Sequence, residues 1–198
     1  LLEVAMMKVD DVRERVRELH GVLDVLPAQL LEDLMAAAAA ACVSLRNRGV
    51  IYFFGNGGSA ATAEHLASEL VGRFQSERPP MRAGVLTASG VVLTALANDY
   101  PGDELFARQV RGVVDTRDTL VALSASGRSP NILRALDEGV RIGCTRIGFT
   151  GNSPAEFSAR CDWVFAIPSQ SVPRIQEVHM MLGHVFCELI ENIVGDAP

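Results

Sequence analysis

From residue 3 to 23 and again from 27 to 48, apolar residues recur at helical spacing, with a break at Pro27 and an alanine run, Ala36 to Ala41, inside the second segment. Two helices are expected before any sheet. The alanines would let another helix approach closely, so a subunit interface and plain helix propensity both account for them. After Gly49 the pattern changes to short apolar runs: VIYFF (50–54), AGVLTA (83–88), TLVALSA (119–125), TRIGFT (145–150) and WVFAI (163–167). Helical stretches fit between them at 58–73, 89–97, 103–113, 129–142 and 154–159, and a last helix covers 173–194. Continuous apolar strands separated by helices predict an α/β fold with a five-stranded parallel sheet covered on both faces. No repeat or low-complexity linker interrupts it, so one domain is expected, with helices over 1–48 and the α/β sandwich over 49–198.

Ligands of such a sheet bind where strands end and helices begin. Three polar turns fall there: GNGGS (55–59), SASGRS (124–129) and TGNS (150–153). SASGRS sets Ser124, Ser126 and Ser129 around Gly127 just ahead of a helix, where hydroxyls, backbone N–H groups and the helix dipole would meet a phosphate. The same serines also read as an N-cap cluster. The glycines of GNGGS allow close approach to a ligand, but a strand-to-helix turn needs them in any case. His65 and Glu69, at i and i+4 in the next helix, are separated by about 40° around its axis, which suits a metal or an acid/base pair. In the last helix Gln176 and His184 are separated by about 80°, so each pair can face one cleft. Glu177 shares nearly the azimuth of His184, and spacing alone leaves it open as a ligand. His179, about 140° away, reads as a packing or interface residue.

Composition removes several alternatives. The chain is 48% hydrophobic, yet no apolar run approaches eighteen residues, so no membrane span is expected. The stretch LLEVAMMKVDDVRERVREL mixes acids and bases, which argues against a signal peptide and for a cytoplasmic location. Cys42, Cys144, Cys161 and Cys187 are widely spaced and form no CxxC pair, as expected of reduced thiols without a catalytic role. The net charge of −6 gives no global basic field for nucleic acid. Lys8 is the only lysine and lies far from the glycine turn, which nearly excludes both Schiff-base chemistry and a Walker-type phosphate lysine.

Taken together, GNGGSAATAEHLASELVGRF (55–74), LSASGRSPN (123–131), TGN (150–152) and RIQEVHMMLGHVFCELIE (174–191) resemble the sugar isomerase (SIS) domain family, in particular its phosphoheptose isomerase branch. The resemblance covers nearly the whole chain. It implies zinc (Zn2+) held by His65, Glu69, Gln176 and His184, with Glu69 as general base and His184 as general acid. It further implies that Asn56, Gly57, Gly58, Ser59, Asn98, Asp99, Ser124, Ala125, Ser126, Ser129, Glu69 and Gln176 contact a phosphosugar. The implied reaction is the aldose–ketose isomerisation of sedoheptulose 7-phosphate to D-glycero-D-manno-heptose 7-phosphate. A homo-oligomer is implied too, a tetramer with sites completed by neighbouring subunits, and the apolar MMLGHVF stretch (180–186) is expected to help form its interfaces.

The sequence departs from that family at a few places. The usual STSGNS turn becomes SASGRS, so Ala125 removes a hydroxyl and Arg128 adds a cation. Pro173 stands where an acid is common, and Thr62 where an aspartate is common. These changes surround the sugar and phosphate positions and leave the implied zinc and acid/base positions intact. A phosphosugar of another chain length, such as eight carbons, is therefore an alternative substrate. A non-catalytic interaction protein of the same fold, of the replication-initiator-associating type, is the alternative to an enzyme. A sugar-phosphate-sensing regulator is disfavoured because no helix-turn-helix precedes the sheet.

Overall fold

The computed structural model describes residues 7–87, 89–152 and 155–195. Two helices, α1 (Val9–Asp24) and α2 (Ala28–Arg46), precede β1 (Ile51–Gly55), α3 (Gly58–Val71), β2 (Ala83–Val85), α4 (Gly90–Asp99) and α5 (Glu104–Val113). There follow β3 (Thr119–Ser124), α6 (Pro130–Ile142), β4 (Thr145–Thr150), α7 (Ala155–Ser158), β5 (Trp163–Ala166) and α8 (Val172–Gly195). The expected elements are all present. Ala88 at the end of the second expected strand, Ser153 of the TGNS turn, Pro154 and residues 3–6 lie outside the described residues. Val50, expected in the first strand, precedes it, because its N–H donates to the Asp118 carboxylate (2.7 Å) and the ladder starts at Ile51.

Every strand pairing is parallel, and the sheet order is β2-β1-β3-β4-β5. All C-terminal strand ends therefore lie along one edge, and the chain reverses its direction of winding between β1 and β3, the switch point where such sheets open a crevice. Side-chain alternation divides the core in two. Phe53, Val121, Leu123, Ile147, Phe149 and Phe165 pack against α2, α3 and α8, with Val22 of α1 joining them. Phe54, Leu120 and Ala122 face the opposite way, towards Phe106 and Val110 of α5, Ile132 and Leu136 of α6 and Phe157 of α7. Burial on both faces is why the strands read as continuous apolar runs.

Half of the alanine run faces inward within the chain, while Ala36 and Ala39 are exposed. Ala37, Ala38 and Ala41 are fully buried, and α2 packs on α8 and β5. In length and composition α2 is apolar enough to cross a membrane, with a mean hydropathy of 1.4, contrary to the expectation drawn from run length. Its Leu30, Leu34, alanines and Cys42 form part of the core, which accounts for that composition. The MMLGHVF stretch divides between two environments: Leu182 and Phe186 are buried in the chain's own core, whereas Met181 is exposed.

His179 is buried on α8, as a packing residue should be. Its ring lies edge-on to Phe149, and Nε2–H donates to the Thr150 carbonyl (3.1 Å). Burial lowers the imidazole from its ordinary value near 6.5 to about 4; the Thr150 bond acts in the other direction and is outweighed. Between these values the unfolded chain binds a proton that the folded chain refuses. The group's contribution is therefore complete above about pH 6.5 and is lost as the pH falls towards 4, a total of roughly 3 kcal/mol. We expect thermal denaturation followed by circular dichroism to show a Tm that drops across this window in the native chain and drops less steeply in His179→Gln. Parallel curves would remove His179 as a cause.

Candidate functional site

The glycine turn leaves β1 through Gly57, whose φ of 55° is the left-handed conformation that glycine adopts without strain. Gly58 then starts α3 directly against α8: a Cβ there would lie 2.8 Å from Oε1 of Gln176. The serine turn leaves β3 and enters α6 at Pro130, with Ser129 at the N-cap position. The two turns are tied together. Asn56 and Asn131 exchange reciprocal side-chain amide hydrogen bonds, both 2.9 Å. Asn131 lies in the SPN end of the recognised motif, but its pairing with a residue 75 positions away has no signature in sequence spacing.

Between the turns lies a cavity of about 210 Å³, lined by Asn56, Ser59, Ser124, Ala125, Ser126, Ser129 and Gln176, with Leu123 and Val172. The N-termini of α3 and α6 both open onto it. The N-cap reading of the serines is not realised: Ser129 makes no side-chain cap bond, and among the described residues Ser126 Oγ accepts only the N–H of Arg128 (3.2 Å). Ser124 is 5% exposed, and its Oγ has no hydrogen-bond partner among the described residues. A buried hydroxyl without a partner is costly, and two helix N-termini favour negative charge, so the cavity suits an anion with several acceptor oxygens. No lysine takes part. Arg128 is exposed, has no ionic partner among the described residues, and lines an adjoining cavity of about 320 Å³ together with Ser126, Asn152 and Gln170.

A second cluster lies further along α3 and α8. His65 Nε2 is 2.8 Å from His184 Nε2 and 3.1 Å from Glu69 Oε1, and the ligand atoms of these three residues all fall within 4.8 Å of one another. Two ring nitrogens and a carboxylate oxygen directed at one point share a proton or a cation. A tetrahedral zinc with bonds of about 2.0–2.1 Å separates its ligands by about 3.3 Å, so the two short distances at His65 Nε2 need widen by only about half an ångström or less. Two histidines and a glutamate are a catalytic zinc set. The chain fits the ion.

Gln176, the fourth implied ligand, presents its carboxamide at Gly58 and lines the anion cavity. Glu177, which spacing left open, is engaged elsewhere: it pairs with Arg174, and Arg174 in turn bonds the Arg15 carbonyl (3.0 Å) and Glu18 (3.4 Å) of α1. Asn98 and Asp99 are not brought to the cavity by their own chain. They are exposed at the end of α4, a helix with no buried residue, and the Asn98 amide donates to Asp99 (2.7 Å). Thr62 bonds the Gly58 carbonyl (3.2 Å) of its own helix. Pro173 lies in the first turn of α8, where a missing N–H is tolerated. The thiols are inert, since burial pushes Cys42 and Cys144 up to about 11 and Cys161 and Cys187 up to about 12.

Sequence reasoning missed the residues behind this cluster. Phe74 stacks on His184 with ring centroids 5.5 Å apart and planes at 27°. Arg78 and Glu191 form a buried pair (3.0 Å). Phe74 lies inside the GRF end of the motif, the one signal that could have drawn attention to it.

With this geometry in view, similarity to known proteins narrows the chemistry. The SIS domain profile matches residues 16–151. The phosphoheptose isomerase of Thermodesulfovibrio yellowstonii is 38% identical over 193 residues, 97% of this chain and 96% of the relative. That of Nitratiruptor sp. is 44% identical over 184 residues, 93% and 98% of the two chains. Among solved structures, phosphoheptose isomerase GmhA from Neisseria gonorrhoeae superposes with a TM-score of 0.86 at 32% identity, covering 92% of this chain and 98% of that one.

The two histidines meet because α8 lies close on α3 at Gly183. A Cβ on Gly183 would come within 2.5 Å of Leu66 Cδ1 and 2.7 Å of Cδ2, and Leu66 is fully buried with no room to swing. Overpacking of this kind costs about 1–3 kcal/mol. Gly183→Ala should lower Tm and, by moving His184 off His65, reduce both turnover and zinc retention. Calorimetry, steady-state kinetics and metal analysis check this, and unchanged values would show that the helices separate without disturbing the cluster.

Proposed function

This chain belongs to the SIS domain family, in its phosphoheptose isomerase branch, and is an aldose–ketose isomerase of a phosphosugar; from that premise we propose sedoheptulose 7-phosphate and D-glycero-D-manno-heptose 7-phosphate as its substrate pair. The observation that carries this reading is the convergence of His65, Glu69 and His184 on two helices that also help line the anion cavity at the serine turn. Eight residues of α8 separate Gln176 at the cavity from His184, about 12 Å of helix rise. That span suits a long phosphosugar, with its phosphate in the serine turn and its carbonyl end at the histidines.

In this reading Ser124, Ser126, Ser129 and the N-terminus of α6 hold the phosphate, and Asn56, Ser59 and Gln176 orient the hydroxyls. Glu69 turns Oε1 towards His65, leaving Oε2 to carry the proton between C1 and C2. His184 gives and takes the proton on the sugar oxygen. His65, Glu69 and His184 would hold zinc, which when bound polarises the carbonyl and stabilises enediolate charge, while Gln176, implied by the resemblance as a fourth ligand, stays at the anion cavity. The interaction-protein alternative loses its ground, because the relatives that match over nearly the full chain are named as enzymes.

The working form in this proposal is a homotetramer. Val9, Val12 and Val16 of α1, Leu31 and Met35 of α2 and Val91 and Val92 of α4 are all exposed, and the apolar helix α4 has no fully buried residue within its own chain. Packing α4 against a second copy would cover that surface and carry Asn98 and Asp99 towards the neighbour's cavity. We place the enzyme in the cytoplasm, whose reducing conditions match its four free cysteines.

Removing a general base typically costs about 10²–10⁴-fold in rate. Glu69→Gln keeps an oxygen for His65, so it should lose kcat in that range while its circular dichroism stays native. A coupled assay of heptose phosphate formation checks this, and a near-normal rate would sink the assignment. Sedimentation velocity run beside the assay should find activity only in the tetramer; an active monomer would contradict the shared site.

A further inference from the structure

Glu69 occupies a weak place in its helix. It lies in the last turn of α3, where carbonyls have no partner within the helix and ends fray. Here two of them, and two more carbonyls beyond the helix end, are met by one side chain. Arg78 Nη2 donates to the Glu69 carbonyl (2.7 Å), while Nη1 donates to those of Leu70 (3.0 Å), Gly72 (3.3 Å) and Pro79 (3.2 Å). Nε of the same residue donates to Glu191 Oε1 (3.0 Å). Glu191 accepts three backbone N–H bonds in addition, from Phe74 (3.2 Å), Gln75 (3.0 Å) and Ser76 (2.9 Å). The segment fixed in this way carries the Phe74 ring that stacks on His184. Seven residues separate His184 from Glu191, about two turns, so both face α3 from the same side of α8.

We propose that Arg78, Glu191 and Phe74 form a positioning assembly for the isomerase site, fixing the backbone of Glu69 and the ring of His184 from behind. The proposal rests on the reading of His65, Glu69 and His184 given above. None of the three residues lines the anion cavity or belongs to the metal cluster. A buried ion pair is a poor source of net stability compared with apolar packing, because desolvation offsets the attraction. This pair directs its bonds at the two stretches of backbone that carry a catalytic carboxylate and the stacking partner of a catalytic imidazole. Such an arrangement fixes geometry. Burial pushes the Glu191 carboxyl up, but the three N–H donors and the guanidinium outweigh it and hold the group below the ordinary carboxylate value, so the pair is ionised wherever the enzyme is folded near neutrality.

The test uses the full chain and begins with the native protein: if that binds no zinc and isomerises no phosphosugar, the functional reading itself fails. Phe74→Leu removes the ring alone. Arg78→Lys keeps a cation beside Glu191 but loses the planar fork that reaches the carbonyls. Leu136→Ala, in the core on the opposite face of the sheet, supplies destabilisation without contact to the assembly. Each protein is stripped of metal, and zinc affinity is measured by chelator competition; kcat and KM are then measured with zinc restored, well below each Tm. Residues that support metal ligands from behind are typically worth about 10–100-fold in affinity or activity. We expect Phe74→Leu and Arg78→Lys to lose zinc affinity and kcat in that range with KM within about twofold, Phe74→Tyr to restore both, and Leu136→Ala to lower Tm alone. If Arg78→Lys does not fold, the Phe74 pair decides. Native zinc affinity and kcat in Phe74→Leu, or equal losses in Leu136→Ala, would overturn the proposal while leaving the isomerase reading in place.

Discussion

The approach of α8 to α3 is the contact on which the rest depends. Leu66 of α3 lies against Gly183, Cys187 Sγ reaches the Leu66 carbonyl (3.7 Å), and Glu191 accepts the N–H groups of the segment that follows α3. These points are spaced along one stripe of α8, and His184 lies between them. A bulkier residue at position 183 or a shorter one at 66 would alter the distance between two imidazoles. The helices therefore act as a ruler for the cluster, and the sheet beneath them supplies the flat base on which both lie.

A second regularity concerns the hydroxyls that the fold leaves without partners. Among the described residues, the buried side-chain atoms lacking a hydrogen bond include Oγ of Ser124 at the end of β3, Oγ1 of Thr150 at the end of β4 and Oγ1 of Thr87 just beyond β2. All three lie at the C-terminal edge of the sheet, where parallel strands release their chain into loops. Polar groups buried without partners are uncommon in folded proteins, and their gathering at one edge marks where the fold gives up internal satisfaction. For Ser124 the neighbouring cavity and helix N-termini supply the reason. Sites violate local rules where they bind.

Much of this was legible in the sequence because the determining signals are local. Uninterrupted apolar runs such as TLVALS located the strands, period-3.6 patterning located the helices to within a few residues, and the unbroken runs announced a sheet buried on both faces. His65 and Glu69 were visible as a pair since one helix carries both. What stayed hidden crosses the chain: Arg78 with Glu191 over 113 positions and Asn56 with Asn131 over 75 leave no periodic trace. The alanine run shows another limit. Small residues announce close approach without saying to what, and here the partner is the chain's own α8. Asn98 and Asp99 were named by resemblance, and one chain alone does not bring them to the cavity.

The choice between Gln176 and Glu177 shows how the rest of the fold completes what a motif begins. Adjacent positions on a helix differ by about 100°, so only one of the two can face α3. Arg174, three residues before Glu177, is held by the Arg15 carbonyl and Glu18 of α1, and it draws the Glu177 carboxylate to that side. The neutral carboxamide is then the side chain left to meet Gly58. A carboxylate there would have met an anion cavity fed by two helix N-termini and competed with the phosphate for it. The N-terminal helix, which contributes no residue to the site, thus helps keep a negative charge out of the cavity, and it does so through an arginine that belongs to neither the anion cavity nor the cluster of His65, Glu69 and His184.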